Sequence, residues 1–163
     1  IIPDCVRAWS KNEKPEIRSP FATRPWQHVL EPLSGYVSLA IALSRNEKLN
    51  GEAFNFGPPA YQNHTVKELV DEIITHWKGA GWIDKSAENV TPYEAGLLKL
   101  NCDKALHSLN WQATLNFKET ALWTGEWYRT YYENGSEAAT LKTINQIKDY
   151  MSLALDRETF KLD

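Results

Sequence analysis

The extended stretches of this chain are too short and too few to make a sheet of their own, and that constrains the fold most. Strand-like pieces fall at 16–18, 26–29, 53–56 and 97–100, whereas an independently stable sheet needs three or more strands of about five residues. Helical patterning fills the rest. Pro3 suits a first helical turn, where its missing N–H costs nothing, and that pattern carries to about residue 11. Glu31-Pro32 opens a second helix, with Leu33, Tyr36, Val37, Ala40, Ile41 and Leu43 in a wide apolar stripe, and Asn50-Gly51 ends the unit. Thr65-x-x-Glu68 is a capping box heading a helix that buries Val66, Leu69, Val70, Ile73, Ile74 and Trp77. Asn101 caps a short helix reaching Leu109, and Asn116-x-x-Glu119 starts a long one carrying Leu122, Trp123, Trp127 and Tyr131. Gly135 breaks the pattern before a last helix at about 138–155.

Four or five helices with brief extended pieces make a mostly helical, mixed α+β chain. The strands make sense as edge additions to a sheet supplied by sequence outside it. The opening, Ile1-Ile2-Pro3 running straight into helical spacing, points the same way and predicts a fragment. With 163 residues, 42% of them hydrophobic and 24% charged, the expectation is one soluble globular domain. No apolar run is long enough to cross a bilayer, and no basic segment precedes an apolar one as in a secretory leader. A net charge of −3 argues against a general nucleic-acid partner. Cys5 and Cys102 lack metal-ligand spacing and read as buried thiols in a reducing compartment, with cytoplasm the expected location.

The familiar chemistries are missing. There is no Gly-x-Gly-x-x-Gly loop or P-loop, no tyrosine with a lysine four residues on, and no serine nucleophile elbow. The histidines at 28, 64, 76 and 107 have no carboxylate or cysteine companions at metal spacing, so no metal site is expected. Trp123, Trp127 and Tyr131 recur at helical spacing and belong to a core. What remains is the run from Arg18 to Tyr36, in which Pro20 and Pro25 stiffen the chain around Arg18 and Arg24 and are followed by Trp26, Gln27 and His28. Guanidinium forks suit phosphate oxygens, and amides and aromatic rings suit a base or a sugar. The alternative is a surface hairpin whose arginines pair with nearby carboxylates. Arg18, Arg24, Trp26, Gln27, His28, Asn55 and Lys99 therefore form a candidate binding set, and no residue reads as a nucleophile, hydride partner or general base.

The string Ile17-Arg-Ser-Pro-Phe-Ala-Thr-Arg-Pro-Trp-Gln-His-Val-Leu-Glu-Pro-Leu-Ser-Gly-Tyr36 resembles the signature of the CDP-glucose 4,6-dehydratase family, within the extended short-chain dehydrogenase/reductases. Ile2-Pro3-Asp4, Ala53-Phe-Asn-Phe-Gly57, Glu94-Ala-Gly-Leu-Leu-Lys-Leu-Asn101, Lys104-Ala-x-x-x-Leu-x-Trp111 and Trp127-Tyr128 follow in that family's order. The resemblance implies an α/β, Rossmann-like architecture of which residues 1–163 are the C-terminal substrate-binding region, without the N-terminal dinucleotide-binding domain. It implies a tightly bound NAD held by that missing domain, and a reaction that oxidises C4 of the glucose, eliminates water across C5 and C6, and returns the hydride to C6. The acid, base and hydride-handling residues would lie upstream, so this portion alone is expected to be inactive.

Carried over by position, Arg24 contacts the pyrophosphate, Asn55 faces the nucleotide sugar, Arg18 lies on the base side, and Glu94 and Lys99 belong to a segment closing over the nucleotide. Gln27 and His28 either join the site or hold the hairpin's shape. Tyr93 stands where the resemblance calls for histidine. Expected partners are a CDP-sugar, the dinucleotide domain and, in the complete protein, further copies of itself, with neither nucleic acid nor membrane. An apolar face for the missing domain is expected along 26–29 and 53–56. Two other readings stay open: a sister dehydratase or epimerase using GDP-mannose or dTDP-glucose, and a non-catalytic helical module that binds another protein.

Overall fold

The computed structural model describes residues 1–88 and 96–159. Five helices dominate, and the sheets are two separate pairs of two-residue strands. The first helix, α1 (Ile2–Trp9), has Pro3 in its opening turn, Asp4 near its positive end and Arg7 near its negative end. It buries Cys5, Val6 and Trp9. Against these pack Leu69, Val70 and Ile73 of α3 (Val66–Ile74) and Phe117 and Ala121 at the start of α5 (Phe117–Asp156). That three-helix contact is the main core.

Strand β1 (Glu16–Ile17) runs parallel to β4 (Ile83–Asp84), and β2 (Thr23–Arg24) antiparallel to β3 (His64–Thr65). The extended pieces expected at 26–29 and 53–56 join no ladder among the described residues, and 97–100 contributes one bridge, Thr23 to Leu97. A strand is defined by a partner, and the neighbour of 53–56 is a helix. At Gly35 of α2 (Leu30–Arg45) a Cβ would lie 2.3 Å from the Phe56 ring. Phe56 in turn meets Trp111 edge-on at 4.9 Å. Only a glycine permits that approach of helix to segment.

Both capping boxes form. Thr65 and Glu68 satisfy each other's backbone amides at the head of α3, and Asn116 and Glu119 do so at the head of α5. Ahead of α4 (Asp103–Leu109), Asn101 Oδ1 accepts from the Asp103 amide (2.9 Å), one residue earlier than a standard cap. Gly135, with φ 84°, turns α5 back on itself. The outer arm lies along the inner one: Trp127 Nε1 donates to Thr143 Oγ1 (2.7 Å), Gln146 Nε2 to the Trp123 carbonyl (2.8 Å), and Lys142 pairs with Glu126 (2.6 Å).

The outer arm also clasps α2, through Glu31. This carboxylate is fully buried and accepts the Thr114 amide (2.9 Å), the Leu115 amide (2.7 Å) and the Tyr150 hydroxyl (2.8 Å). Ser34 meets the same hydroxyl (3.0 Å) and accepts from Trp111 Nε1 (2.9 Å). Burial pushes the Glu31 carboxyl above its ordinary range, outweighing the amides, Tyr150 and Arg157, which favour its charge. The opposite side of α2 is apolar. Val29, just before the helix, and Leu33, Tyr36 and Val37 are 63, 47, 58 and 51% exposed. An exposed apolar face opposite a buried one marks a helix that is covered on both sides.

Candidate functional site

The residues expected to bind ligand fall in two places. Arg24 and Lys99 share one crevice, walled by Pro58, Pro59 and Asn63. Three segments assemble it. Strand β2 holds Arg24 opposite His64, and the Arg24 guanidinium donates to the Thr23 carbonyl (2.7 Å). The Gly57-Pro58-Pro59 turn is set against Leu100, whose Cδ1 would lie 2.9 Å from a Cβ at Gly57. The segment from Gly96 is tied to β2 by the Thr23 amide, which donates to the Gly96 carbonyl (2.8 Å). Lys99 Nζ reaches the Ala60 carbonyl (3.2 Å) and stays exposed. Asn55 is also exposed, its amide nitrogen donating to the Asn101 carbonyl (3.2 Å) beside this wall. The crevice holds only about 10 Å³. It is too small to enclose a nucleotide.

Trp26, Gln27 and His28 face elsewhere. They line an apolar cavity of about 480 Å³ between the start of α1, α3 and the two arms of α5. Trp26 Nε1 donates to the His64 carbonyl (2.9 Å), and Gln27 Nε2 to the Phe56 carbonyl (3.0 Å). Gln27 Oε1 is buried with no hydrogen-bond partner among the described residues. His28 is 6% exposed, meets Trp123 edge-on and accepts weakly from the Leu30 amide through Nδ1 (3.4 Å). Burial lowers its pKa to about 4, so it is neutral at physiological pH. The three side chains thus brace the turn into α2.

Arg18 is exposed just past β1 and does not line the crevice. Glu94 and Tyr93 lie outside the described residues. The apolar face expected along 26–29 and 53–56 appears in part: Val29 and Ala53 are exposed, Trp26 and Gln27 are half-buried, and His28 and Phe56 are buried. The larger exposed face is on α2. By sequence alone Glu31 has only a place at a helix head. Its alignment with Gly35, Leu39 and Ala42, at helical spacing on the inward face, is the signal that marks it.

The crevice and its flanking segments bring Arg24 and Lys99 to one surface. No family model matches the chain. It is similar to the CDP-glucose 4,6-dehydratase of Salmonella typhimurium (strain LT2), with 38% identity over 153 residues, which are 93% of this chain and 42% of that protein. The resemblance read from the sequence is borne out, and the chain spans less than half the length of this curated relative. Among the described residues no helix is long and apolar enough to cross a membrane.

Proposed function

We propose that this chain is the C-terminal, nucleotide-sugar-binding portion of a CDP-glucose 4,6-dehydratase, which converts CDP-D-glucose to CDP-4-keto-6-deoxy-D-glucose. One observation carries the reading: Arg24 and Lys99, from segments far apart in sequence, share one crevice. In this assignment Arg24 binds the pyrophosphate, Lys99 and Glu94 act from the segment beside it, Asn55 faces the sugar, and Arg18 lies toward the cytosine. Trp26, Gln27 and His28 hold the wall from behind.

The residues present do not fit NAD. The cationic crevice is far too small for a dinucleotide, and the large cavity is apolar, with no glycine-rich turn leading from a strand into a helix. In this reading the cofactor's place is on the remainder of the protein. The exposed face of Val29, Leu33, Tyr36 and Val37 is where that remainder docks in this reading.

The test uses the complete protein with NAD and CDP-glucose, dTDP-glucose or GDP-mannose, following the 4-keto product by its absorbance in base. Product from CDP-glucose alone is expected. A product from dTDP-glucose or GDP-mannose instead reassigns the nucleotide, and product from none of them refutes the dehydratase reading. A charge-assisted hydrogen bond is worth roughly 1.5–3 kcal/mol. Arg24→Ala is therefore expected to weaken CDP binding by about ten- to a hundredfold, and an unchanged dissociation constant removes Arg24 from the site.

A further inference from the structure

The turn that walls the crevice carries the most exposed large hydrophobic side chain among the described residues. Tyr61 is 83% exposed, and it stands between Ala60 and Gln62, both of which line the crevice that Arg24 and Lys99 share. Consecutive Cα atoms are about 3.8 Å apart, so the ring is rooted one residue's step from that wall on either side. A single exposed aromatic needs no explanation by itself. What sets this one apart is how its backbone is held. Pro58 and Pro59 stiffen the approach. The three carbonyls around the ring are all engaged: Pro59 accepts the Gln62 amide (2.9 Å), Ala60 the Lys99 ammonium (3.2 Å), and Tyr61 the Asn63 amide (3.1 Å). The ring thus stands in solvent on a fixed turn that is tied directly to one of the crevice's two cations.

A crevice of about 10 Å³ encloses nothing, so a nucleotide held by its cations lies across the mouth, and its base must gain affinity from an exposed surface. Stacking on an aromatic ring is the means that needs no pocket. We propose that Tyr61 is the base-stacking residue of this chain, its ring lying against the base of a nucleoside diphosphate whose pyrophosphate is held by Arg24 and Lys99. This inference rests on the reading of the crevice as a nucleotide-sugar site. Arg18 does not line the crevice and leaves the face of the base to this ring. Phe21, the other strongly exposed aromatic beside β2, is 67% exposed. Its neighbours are bound to α3 instead: the Pro20 carbonyl accepts the Lys67 amide (2.8 Å) and the Ala22 carbonyl the Val66 amide (2.9 Å), and neither residue lines the crevice. Stacking tolerates any base, because every base has a π-face. Tyr61 therefore sets affinity for the nucleoside and not the choice among nucleosides.

Calorimetric titration of the complete protein with CDP and with inorganic pyrophosphate, which lacks the base, separates the ring from the cations. Tyr61→Ala is expected to weaken CDP binding roughly 5- to 150-fold and to leave pyrophosphate binding unchanged. Tyr61→Phe keeps the ring and is expected to bind CDP as wild type does. Phe21→Ala is expected to match wild type on both ligands. An unchanged CDP dissociation constant in Tyr61→Ala overturns the proposal. So does an equal loss for CDP and pyrophosphate, since the turn and not the ring has then been disturbed, and so does a loss of CDP binding in Phe21→Ala with none in Tyr61→Ala. Product formation judges the underlying reading separately. A wild type that turns over CDP-glucose while Tyr61→Ala keeps its CDP affinity refutes the stacking alone. A wild type that yields no product from any of the three nucleotide sugars, yet loses CDP affinity on Tyr61→Ala, refutes the dehydratase reading alone.

Discussion

Gly35→Ala sets two effects of known size against each other, and the structure decides which wins. In an exposed helix interior alanine is favoured over glycine by about 1 kcal/mol. At position 35 the new methyl would sit 2.3 Å from Cδ1, 2.5 Å from Cγ and 2.7 Å from Cε1 of Phe56. Ordinary carbon contacts lie near 3.5–4.0 Å, so the ring must retreat by more than about 1 Å. Trp111 stands edge-on to it at 4.9 Å, and Trp111 is itself 2% exposed and bonded to Ser34. Overpacking of this kind costs about 3 kcal/mol at the upper end of its usual range. The net expectation is a loss of about 2 kcal/mol, or roughly 4–8 °C in Tm for a domain of this size. Urea unfolding of wild type, Gly35→Ala, Phe56→Leu and the double variant forms a complete cycle. Phe56→Leu removes the obstructing ring, so alanine should be much better tolerated in the double variant than alone. A Gly35→Ala protein more stable than wild type would show that helix propensity governs the position and that the close approach is wrong.

Two buried titratable groups give opposite pH signatures. His28 has its pKa lowered from 6.5 to about 4, so its contribution is complete above the unfolded value and is lost as pH falls from 6.5 toward 4. The shift corresponds to about 3 kcal/mol; His28→Gln should flatten that limb, and imidazole NMR shifts that titrate near pH 6.5 would refute the burial argument. Glu31 has its pKa raised above 4.5, so its contribution is complete below 4.5 and declines as pH rises through the folded value. Glu31→Gln turns an amide NH₂ toward the Thr114 or Leu115 donor, and leaving one such buried donor unmet costs about 1–3 kcal/mol. It should lower stability and speed hydrogen exchange at those two amides at neutral pH; unchanged exchange at both would refute the carboxylate's role as their acceptor.

Those parts of the fold written in local chemistry were legible in the sequence. Thr65 with Glu68 and Asn116 with Glu119 each announce a helix start within four residues, and Gly135 alone marks the reversal of α5. Phe54 and Phe56 signal an extended segment, but nothing local says that its neighbour is Gly35 of a helix instead of another strand. The same limit applies to the site. Arg24 and Lys99 were nameable as cations, while their meeting depends on the proline turn and on Thr23 holding Gly96. A buried Glu31 and a solvated first-turn glutamate look alike in sequence, because the difference lies in donors from residues 114, 115 and 150.

The bond from Tyr150 to Glu31 spans 119 residues of chain. On a ribosome adding about 5–20 residues per second, Glu31 is made roughly 6–24 seconds before that partner exists. For the first 83 residues of that interval the head of α2 has a carboxylate with none of its three donors to receive, and Tyr150 is the last of them to be made. The clasp by the outer arm is thus a late event in biogenesis, and the nascent chain reaches its closed form only after α5 has turned at Gly135 and come back. Ribosome-bound chains ending before residue 146 should therefore leave α2 open to proteases that the finished chain resists.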